Sequence, residues 1–192
     1  QNGLTYQMTI DSLQDVAGNP VTGLSLSFGY YIPIAYKKSD LVVNELLADP
    51  EPVVGLPPAE FVEIFNRSKD SLWLRNWSIT DGSSIGILPD QWLSPGAYAL
   101  ITSSSSSSIF NSSIVLPVTN FPTLNNSGDL LVIRDALGTV IDSLHYSASW
   151  YGDPDKAQGG WSLERTQPDS ISTASRFWSA SMNASGGTPG QP

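Results

Sequence analysis

Apolar and polar residues alternate in short runs along this chain, and turn-forming residues separate the runs. No long segment carries apolar residues at the i, i+3, i+4, i+7 spacing of a helix. The runs instead show the period of two that a β-strand requires. The pattern therefore predicts strands at Thr5–Ile10, Leu24–Tyr31, Leu41–Leu47, Glu60–Asn66, Trp77–Thr80, Ile85–Leu88, Tyr98–Thr102, Ile114–Pro117, Leu130–Arg134, Val140–Tyr146, Trp161–Glu164 and Arg176–Trp178.

The segment Glu60–Asn66 is predicted to be a central strand. Phe61 and Phe65 point to one face of such a strand, whereas Val62 and Ile64 point to the other face. Because both faces carry large apolar side chains, we expect both to be covered.

A tight hairpin is predicted where Leu130–Arg134 and Val140–Tyr146 flank a short loop. Gly138 in that loop can adopt the positive φ that such a turn requires. Many short strands joined by turns of this kind are typical of a sandwich or a barrel. The predicted fold class is therefore all-β.

The charge of the chain narrows the classes of partner. The 192 residues include 9 Lys and Arg against 18 Asp and Glu, which gives a formal net charge of −9. Nucleic-acid binding requires a clustered positive surface, so we expect no nucleic-acid partner.

The chain has no Cys, which excludes disulfides and thiolate metal sites. No apolar stretch reaches the roughly 18 residues of a membrane span.

Composition shifts divide the chain into three predicted parts. The polar segment 33–40 is the predicted boundary, which separates a short N-terminal β segment, 1–36, from a main domain, 37–185. The Gly- and Pro-rich residues 186–192 are predicted to be a linker. The serine run 103–108 has too little apolar content to pack, so a flexible loop is expected there.

An ordered set of segments from Asp40 onward resembles the bacterial lamin-tail domain, an immunoglobulin-like module. The segments are Leu41–Leu47, Glu60–Asn66, Leu72–Ile79, Leu93–Tyr98, Gly138–Tyr146, Trp161–Arg165 and Gly187–Gly190. The resemblance implies an immunoglobulin-like β-sandwich. It also implies a non-catalytic adhesion, anchoring or spacer module of an exported multidomain bacterial protein, secreted or held at the cell surface.

The first part of the chain is similar to a different family. Leu4–Ile10, Leu13–Pro20 and Leu26–Phe28 resemble the end of a bacterial immunoglobulin-like repeat of the surface-layer type. About 35 residues cannot bury a core alone. We therefore expect this segment to pack on the main domain or to form a homodimer with a second copy of the chain.

No catalytic residues are predicted, so an enzyme is not expected. Nucleophilic catalysis needs a Ser or Cys paired with a base, and His145 is the single histidine. A surface or structural role fits His145 better, since it alternates with apolar residues. Glu60 and Glu63 are three residues apart on one strand and point to opposite faces, so they cannot act as a pair.

Four charged residues are predicted to have structural roles. Glu45, Glu63 and Asp142 each stand among apolar neighbours. A partly buried carboxylate must find hydrogen bonds or a cation. Arg165, in the strand that closes the domain, is the predicted partner.

Two oxygen-rich loops are candidate calcium sites. Asp49 and Glu51 lie in one loop, and Asp153 and Asp155 lie in the other. Calcium takes several oxygen ligands, which these loops could supply. No other cofactor is expected.

Trp150 and Tyr151 form a candidate ligand site next to a turn. Aromatic rings that reach solvent can bind sugar rings, whereas core packing is the ordinary role of such residues in a sandwich. The expected partners are a protein or a cell-surface polysaccharide. The alternatives to an adhesion or spacer module are a carbohydrate-binding module, or an accessory domain attached to a secreted hydrolase or nuclease.

Overall fold

The chain divides into two compact units, Gln1–Ala35 and Tyr36–Pro192. The computed structural model describes residues 5–21, 23–29, 35–170 and 173–191. The division falls inside the segment 33–40 that the sequence favours as a boundary. Tyr36 already belongs to the second unit, because its ring packs edge to face on Trp77 at a centroid distance of 4.9 Å.

The described part of the first unit contains four strands: β1 (Thr5–Ile10), β2 (Leu13–Gln14), β3 (Pro20–Val21) and β4 (Leu24–Gly29). β1 pairs with β4 and β2 pairs with β3, both in antiparallel fashion. The turn between β2 and β3 is closed by Asp15, whose Oδ1 accepts the N–H groups of Ala17 and Asn19, each at 2.9 Å. The last two residues of the predicted strand Leu24–Tyr31 lie outside the described residues.

The second unit contains the remaining strands of the described chain. They are β5 (Leu41–Leu47), β6 (Phe61–Asn66), β7 (Leu72–Trp73), β8 (Ser78–Thr80), β9 (Ile85–Ile87), β10 (Trp92–Leu93), β11 (Tyr98–Ser103), β12 (Val115–Val118), β13 (Gly128–Arg134), β14 (Val140–Ser147), β15 (Leu163–Arg165) and β16 (Trp178–Ala180). Short 3₁₀ turns occur at Ser107–Ile109, Ala148–Tyr151, Lys156–Gln158 and Ser175–Phe177.

Two main sheets make up this unit. One has six strands in the order β12-β11-β6-β5-β15-β16, and the other has four in the order β14-β13-β8-β9. β7 and β10 form a separate two-stranded ribbon. Neighbouring strands are antiparallel except β11 and β12, which run parallel. The predicted central strand is confirmed, since β6 lies between β5 and β11.

The core lies between the two main sheets. Inward side chains of both sheets join one buried cluster, which includes Leu46, Ile64, Ile101, Ile79, Leu131 and Leu144. Trp77, with 0% exposure, is the largest fully buried side chain in it. The prediction of an all-β sandwich is therefore confirmed.

The outer face of the six-stranded sheet is also covered. Leu47, Phe61 and Leu100 point outward from their strands, and loop residues such as Leu56 and Phe110 pack on them. This second buried cluster explains why the central strands carry apolar residues on both faces.

The predicted hairpin is confirmed by the pairing of β13 with β14. Gly138 has a φ of 84°, and its N–H donates to the carbonyl of Asp135 at 3.0 Å. The described part of the chain contains no helix long and apolar enough to cross a membrane.

Several predictions differ from the structure in detail; for example, the predicted strand Trp161–Glu164 lies at Leu163–Arg165. The closing strand lies at Trp178–Ala180 instead of Arg176–Trp178, because Ser175–Phe177 forms a 3₁₀ turn. The serine run 103–108 forms local hydrogen bonds: Ser103 Oγ is 2.7 Å from Ser105 Oγ, and the Ser107 hydroxyl donates to the Ser104 carbonyl at 3.1 Å. Short polar side chains can bond to the local backbone in this way.

Candidate functional site

Three glutamate side chains lie in a row across the six-stranded sheet. Glu63 is opposite Glu45 between β6 and β5, and Glu45 is opposite Glu164 between β5 and β15. Directly paired residues share one face of a sheet, so the three carboxyl groups are neighbours. A register shift in β5 between Val43 and Glu45 lets Val43 face the core while Glu45 faces outward.

Residues 186–190 cross over this row, and we call them the C-terminal strap. The N–H of Thr188 donates to Glu45 Oε1 at 3.0 Å. The N–H of Gly190 donates to Glu63 Oε2. The sequence predicts a linker here, but the carboxyl groups hold the segment on the sheet.

The composition of the strap is matched to its position. A Cβ atom at Gly187 would lie 2.6 Å from Glu45 Oε1 and 2.8 Å from Leu56 Cδ1. The Thr188 hydroxyl donates to Glu164 Oε1 at 3.1 Å. The backbone can therefore approach the sheet only because residue 187 has no side chain.

Burial raises the pKa of Glu45 to about 8 and the pKa of Glu63 to about 7. Loss of hydration is the main cause, and repulsion by Glu164 adds to it at both sites. A hydrogen bond from Asn44 Nδ2 to Glu63 Oε1 at 2.9 Å acts in the opposite direction. The Ser162 hydroxyl also opposes the pKa shift of Glu45, although neither it nor Glu45 Oε2 has a hydrogen bond of good geometry.

A second buried polar group joins the two sheets, and we call it the Asp142–Arg165 clamp. Asp142 Oδ2 accepts the N–H of Val43 at 2.8 Å, and Arg165 Nε donates to the Val43 carbonyl at 2.8 Å. The ion pair itself measures 3.9 Å, with both side chains at most 4% exposed. Burial raises the pKa of Asp142 and lowers that of Arg165.

The structure shows which buried carboxylate pairs with Arg165. The sequence predicts Arg165 as the partner of Glu45, Glu63 or Asp142, and in the structure Arg165 pairs with Asp142. The two glutamates take backbone N–H donors from the C-terminal strap instead.

Three of the candidate calcium ligands, Asp49, Glu51 and Asp153, accept N–H groups of their own turns. Asp49 Oδ1 accepts the N–H of Glu51 at 3.3 Å, and Asp153 Oδ1 accepts the N–H of Asp155 at 2.9 Å. The two loops do approach each other, since the Gly160 N–H donates to the Asp49 carbonyl at 2.7 Å. Among the described residues, however, no group of three or more Asp, Glu or His side chains is arranged so that it could hold a metal ion.

The candidate aromatic pair lies largely within the core. Tyr151 is 7% exposed, and its hydroxyl donates to the Trp161 carbonyl at 3.2 Å. Trp150 packs near Trp178 at a centroid distance of 6.3 Å. A buried Tyr151 ring is not available to stack on a sugar, whereas Trp150 is half-buried, so a ligand site at this pair stays a prediction.

His145 lies on the solvent-facing side of the four-stranded sheet. It is exposed and is paired with Leu130, which is 45% exposed. Ile85 and Ile87 on edge strand β9 are 59% and 53% exposed. The outer face of this sheet is thus open and partly apolar, unlike the covered outer face of the six-stranded sheet.

A polar cleft next to β9 has no counterpart in the sequence-based predictions. It has a volume of about 760 Å³ and is lined by Asp81, Ser83, Ser84, Ile85, Thr119, Asn120, Phe121, Thr123 and Asn125. Asp81 Oδ1 accepts the N–H groups of Ser83 and Ser84, each at 2.8 Å. No motif could have revealed the cleft, because it joins two loops about 40 residues apart that only the sandwich brings together.

Comparison with known proteins gives a family match. The sequence profile of the Lamin Tail Domain family matches residues 35–148, which is more than half of the chain. No curated protein sequence matches the chain. The matched range ends before Arg165 and the C-terminal strap, so both of these lie outside it.

Proposed function

The chain belongs to the lamin tail domain family, and on that premise we propose that it is a non-catalytic adhesion, anchoring or spacer module of an exported multidomain bacterial protein. Its second unit is an immunoglobulin-like β-sandwich. The assignment of residues 1–36 to the end of a surface-layer-type repeat stays a prediction.

The use of the buried ionisable groups is the main support for a non-catalytic role. Asp142 and Arg165 clamp the backbone of Val43, while Glu45 and Glu63 accept N–H groups of the C-terminal strap. Each of these groups has a shifted pKa, which in a cleft would suggest an active site. Here each shifted pKa belongs to a side chain that hydrogen-bonds to the backbone of a different segment.

The open face of the four-stranded sheet is the proposed contact surface for a protein partner. Ile85, Ile87 and Leu130 supply exposed apolar area there, and His145 and Arg134 lie on the same sheet. Exposed apolar residues that are grouped on one face are typical of interaction sites. The partner expected for this surface is a protein with an apolar patch and an acidic rim.

Binding of a neutral polysaccharide is the second candidate, and the polar cleft favours it. Its lining consists mainly of hydroxyl and amide side chains, with Phe121 and Ile85 as apolar walls. Such a mixture can hydrogen-bond to sugar hydroxyls while an aromatic ring covers a sugar face. The lining contains no Lys or Arg, so an anionic polymer is a poorer fit.

Co-sedimentation with isolated bacterial cell envelopes tests the leading proposal. We expect the wild-type chain to pellet with the envelopes and the variant I87E/L130E to stay in solution, because Ile87 and Leu130 are exposed on the open face and do not line the polar cleft. L137E is the matched control, because Leu137 is 91% exposed but lies at the tip of the β13–β14 hairpin. Equal pelleting of both variants would contradict the proposed surface.

A neutral glycan array separates the second candidate from the first. If the cleft binds saccharide, N120A/T123A should abolish the array signal, whereas I87E/L130E leaves the cleft lining intact and should keep it.

A further inference from the structure

The C-terminal strap is attached to the sheet through polar contacts. Thr188 donates its N–H to Glu45 Oε1 and its hydroxyl to Glu164 Oε1, and the N–H of Gly190 donates to Glu63 Oε2. Pro189 is the only residue of the strap with an apolar side chain, and it is partly exposed. Residues 188–190 are therefore held by the carboxyl groups and not by a buried apolar side chain.

Two glycines precede these attached residues. The N–H of Gly186 donates to the Asn183 carbonyl at 2.9 Å, and the Gly186 carbonyl accepts the N–H of Ser162 at 2.7 Å. These two bonds fix the backbone of Gly186 to the domain. Glycine changes its backbone dihedrals more readily than any other residue. Gly187 can therefore act as a hinge for the residues that follow it.

The closed strap leaves buried polar atoms without a hydrogen-bond partner among the described residues. Glu45 Oε2, Ser162 Oγ and Ser112 Oγ are three of these atoms. A Cβ atom on Gly187 would lie 2.8 Å from Ser162 Oγ. A Cβ atom on Gly190 would lie 2.7 Å from Ser112 Oγ, so both hydroxyls lie against the strap. Burial of unpaired polar groups costs free energy, and contact with water restores it. Opening of the strap is thus favoured by hydration of the atoms that closure leaves unpaired.

The groups that face the strap are acidic. Glu63, Glu45 and Glu164 come from β6, β5 and β15, and Tyr98 on β11 is a further titratable side chain near Glu63. Within the described part of the chain, no Lys or Arg forms an ion pair with any of the three glutamates. Arg165 follows Glu164 in β15 and points to the opposite face, where it forms the clamp. Negative charge on the glutamates is therefore not balanced by a nearby cation.

Loss of protons from the glutamates favours the open strap. In the closed state, burial raises the pKa of Glu45 to about 8 and the pKa of Glu63 to about 7. A carboxyl group that water reaches again releases its proton near its ordinary pKa of 4.5. The open state thus binds fewer protons than the closed state, so a rise in pH between these limits shifts the equilibrium towards opening.

We propose that the C-terminal strap is a pH-sensitive latch, which closes over Glu45 and Glu63 while they are protonated and separates from the sheet, beyond Gly187, when they lose their protons. The sandwich stays folded during this opening. The open state exposes three carboxylates on the outer face of the six-stranded sheet and so changes the charge of that surface. This device goes beyond the contact surface proposed on the four-stranded sheet and does not depend on it.

Amide hydrogen exchange of the full chain between pH 5 and pH 7 tests the proposal. Thr188 reports on the strap, and Leu88 reports on the sandwich, because its N–H donates to the Trp77 carbonyl at 2.8 Å. After correction for intrinsic exchange rates, protection of Thr188 should be at least about a hundredfold lower than that of Leu88. It should also fall at least about tenfold per pH unit.

Two results would overturn the proposal. Equal protection of Thr188 and Leu88 would show that the strap opens only when the whole unit unfolds. Protection of Thr188 that does not change with pH would show that the glutamates do not control the strap.

Two variants identify the groups that release the protons. E45Q/E63Q keeps the shape of both side chains but does not titrate, so protection of Thr188 should lose most of its pH dependence. D90N is the matched control and should keep the wild-type behaviour, because Asp90 is 60% exposed and lies outside the glutamate row. The full wild-type pH dependence in E45Q/E63Q would contradict the proposal. The comparison of Thr188 with Leu88 in the wild type remains decisive if E45Q/E63Q does not fold.

Discussion

The two units share the same alternating strand pattern but differ in how far the faces of their strands are buried. In the six-stranded sheet, loops and the C-terminal strap cover the outer face, so that even Glu45 and Glu63 are buried. In the β1–β4 hairpin, a fully apolar face is left 43–56% exposed at four of its residues. Alternation therefore defines the two faces of a strand, while the segments that pack on a face decide whether it is buried.

Among the changes considered for the second unit, loss of the Asp142–Arg165 clamp should cause the largest loss of stability. R165A leaves Asp142 and the Val43 carbonyl without their partner inside the sandwich. We expect the free energy of unfolding to fall by about 3–5 kcal/mol. Urea denaturation followed by tryptophan fluorescence measures the change.

Arg75 supplies the control for this prediction. Its ion pair with Asp90 spans 3.8 Å, and the two side chains are 55% and 60% exposed. Exposed pairs contribute about 1 kcal/mol or less, so R75A should have little effect. Equal losses of unfolding free energy in R165A and R75A would contradict the stabilising role of the clamp.

Raising the pH should destabilise the second unit. In the unfolded chain Glu45 and Glu63 release their protons near pH 4.5, whereas in the native state they hold them up to about pH 8 and pH 7. Between these limits the native state binds more protons, so stability decreases as the pH rises. We expect a loss on the order of a few kcal/mol between pH 5 and pH 9.

The variant E45Q/E63Q tests the origin of this pH dependence. Glutamine keeps the shape of the side chain and does not titrate, so most of the slope should disappear. A smaller slope of the same sign should remain, because burial also raises the pKa of Asp142 and Glu60. A double variant with the full wild-type slope would exclude the two glutamates as its source.

Adding one methyl group should distinguish the covered sheet from the open hairpin. G187A pushes a Cβ atom against Glu45 and Leu56, and we expect a loss of about 1–3 kcal/mol. Gly29, at the end of β4, has no atom within 4 Å of a Cβ position, so G29A should change stability by less than about 0.5 kcal/mol. Hydrogen exchange of the Thr188 amide, faster in G187A alone, would show that the strap itself is released.

Chelation of metal should affect neither unit. Asp15 in the first unit and Asp49 and Asp153 in the second accept N–H groups of their own turns. These hydrogen bonds need no ion, so the melting temperature should be the same with and without EDTA. A lower melting temperature in EDTA that is restored by calcium would show that the acidic loops bind the ion.

Much of the fold could be predicted from local pattern. β1 and β5 have the predicted bounds, and Gly138 turns the predicted hairpin. The apolar residues on both faces of β6 correctly indicated a central strand. The 3₁₀ turn at Ser175–Phe177 could not be predicted in this way, because three residues carry too little periodicity to separate a turn from a strand.

The candidate sites were less predictable, since they depend on contacts between distant segments. Tyr151 follows a turn in the sequence, yet the sandwich encloses its ring. The Gly- and Pro-rich strap has the composition of a linker, but Glu45 and Glu63 bind its N–H groups across more than 120 residues of sequence. The composition of a segment indicates its own conformational preference, and it does not show which distant residues will hydrogen-bond to the segment.

The sequence by itself determined the strands, the sides to which their residues point and the family of the main domain. These follow from the period of two, from glycine at tight turns and from an ordered set of short segments. Only the tertiary structure decided that Arg165 pairs with Asp142, that a bulge turns Glu45 outward and that the strap closes over the glutamates. The physical reason is that register and sheet order set the neighbours of each side chain, and both are properties of the whole packed core.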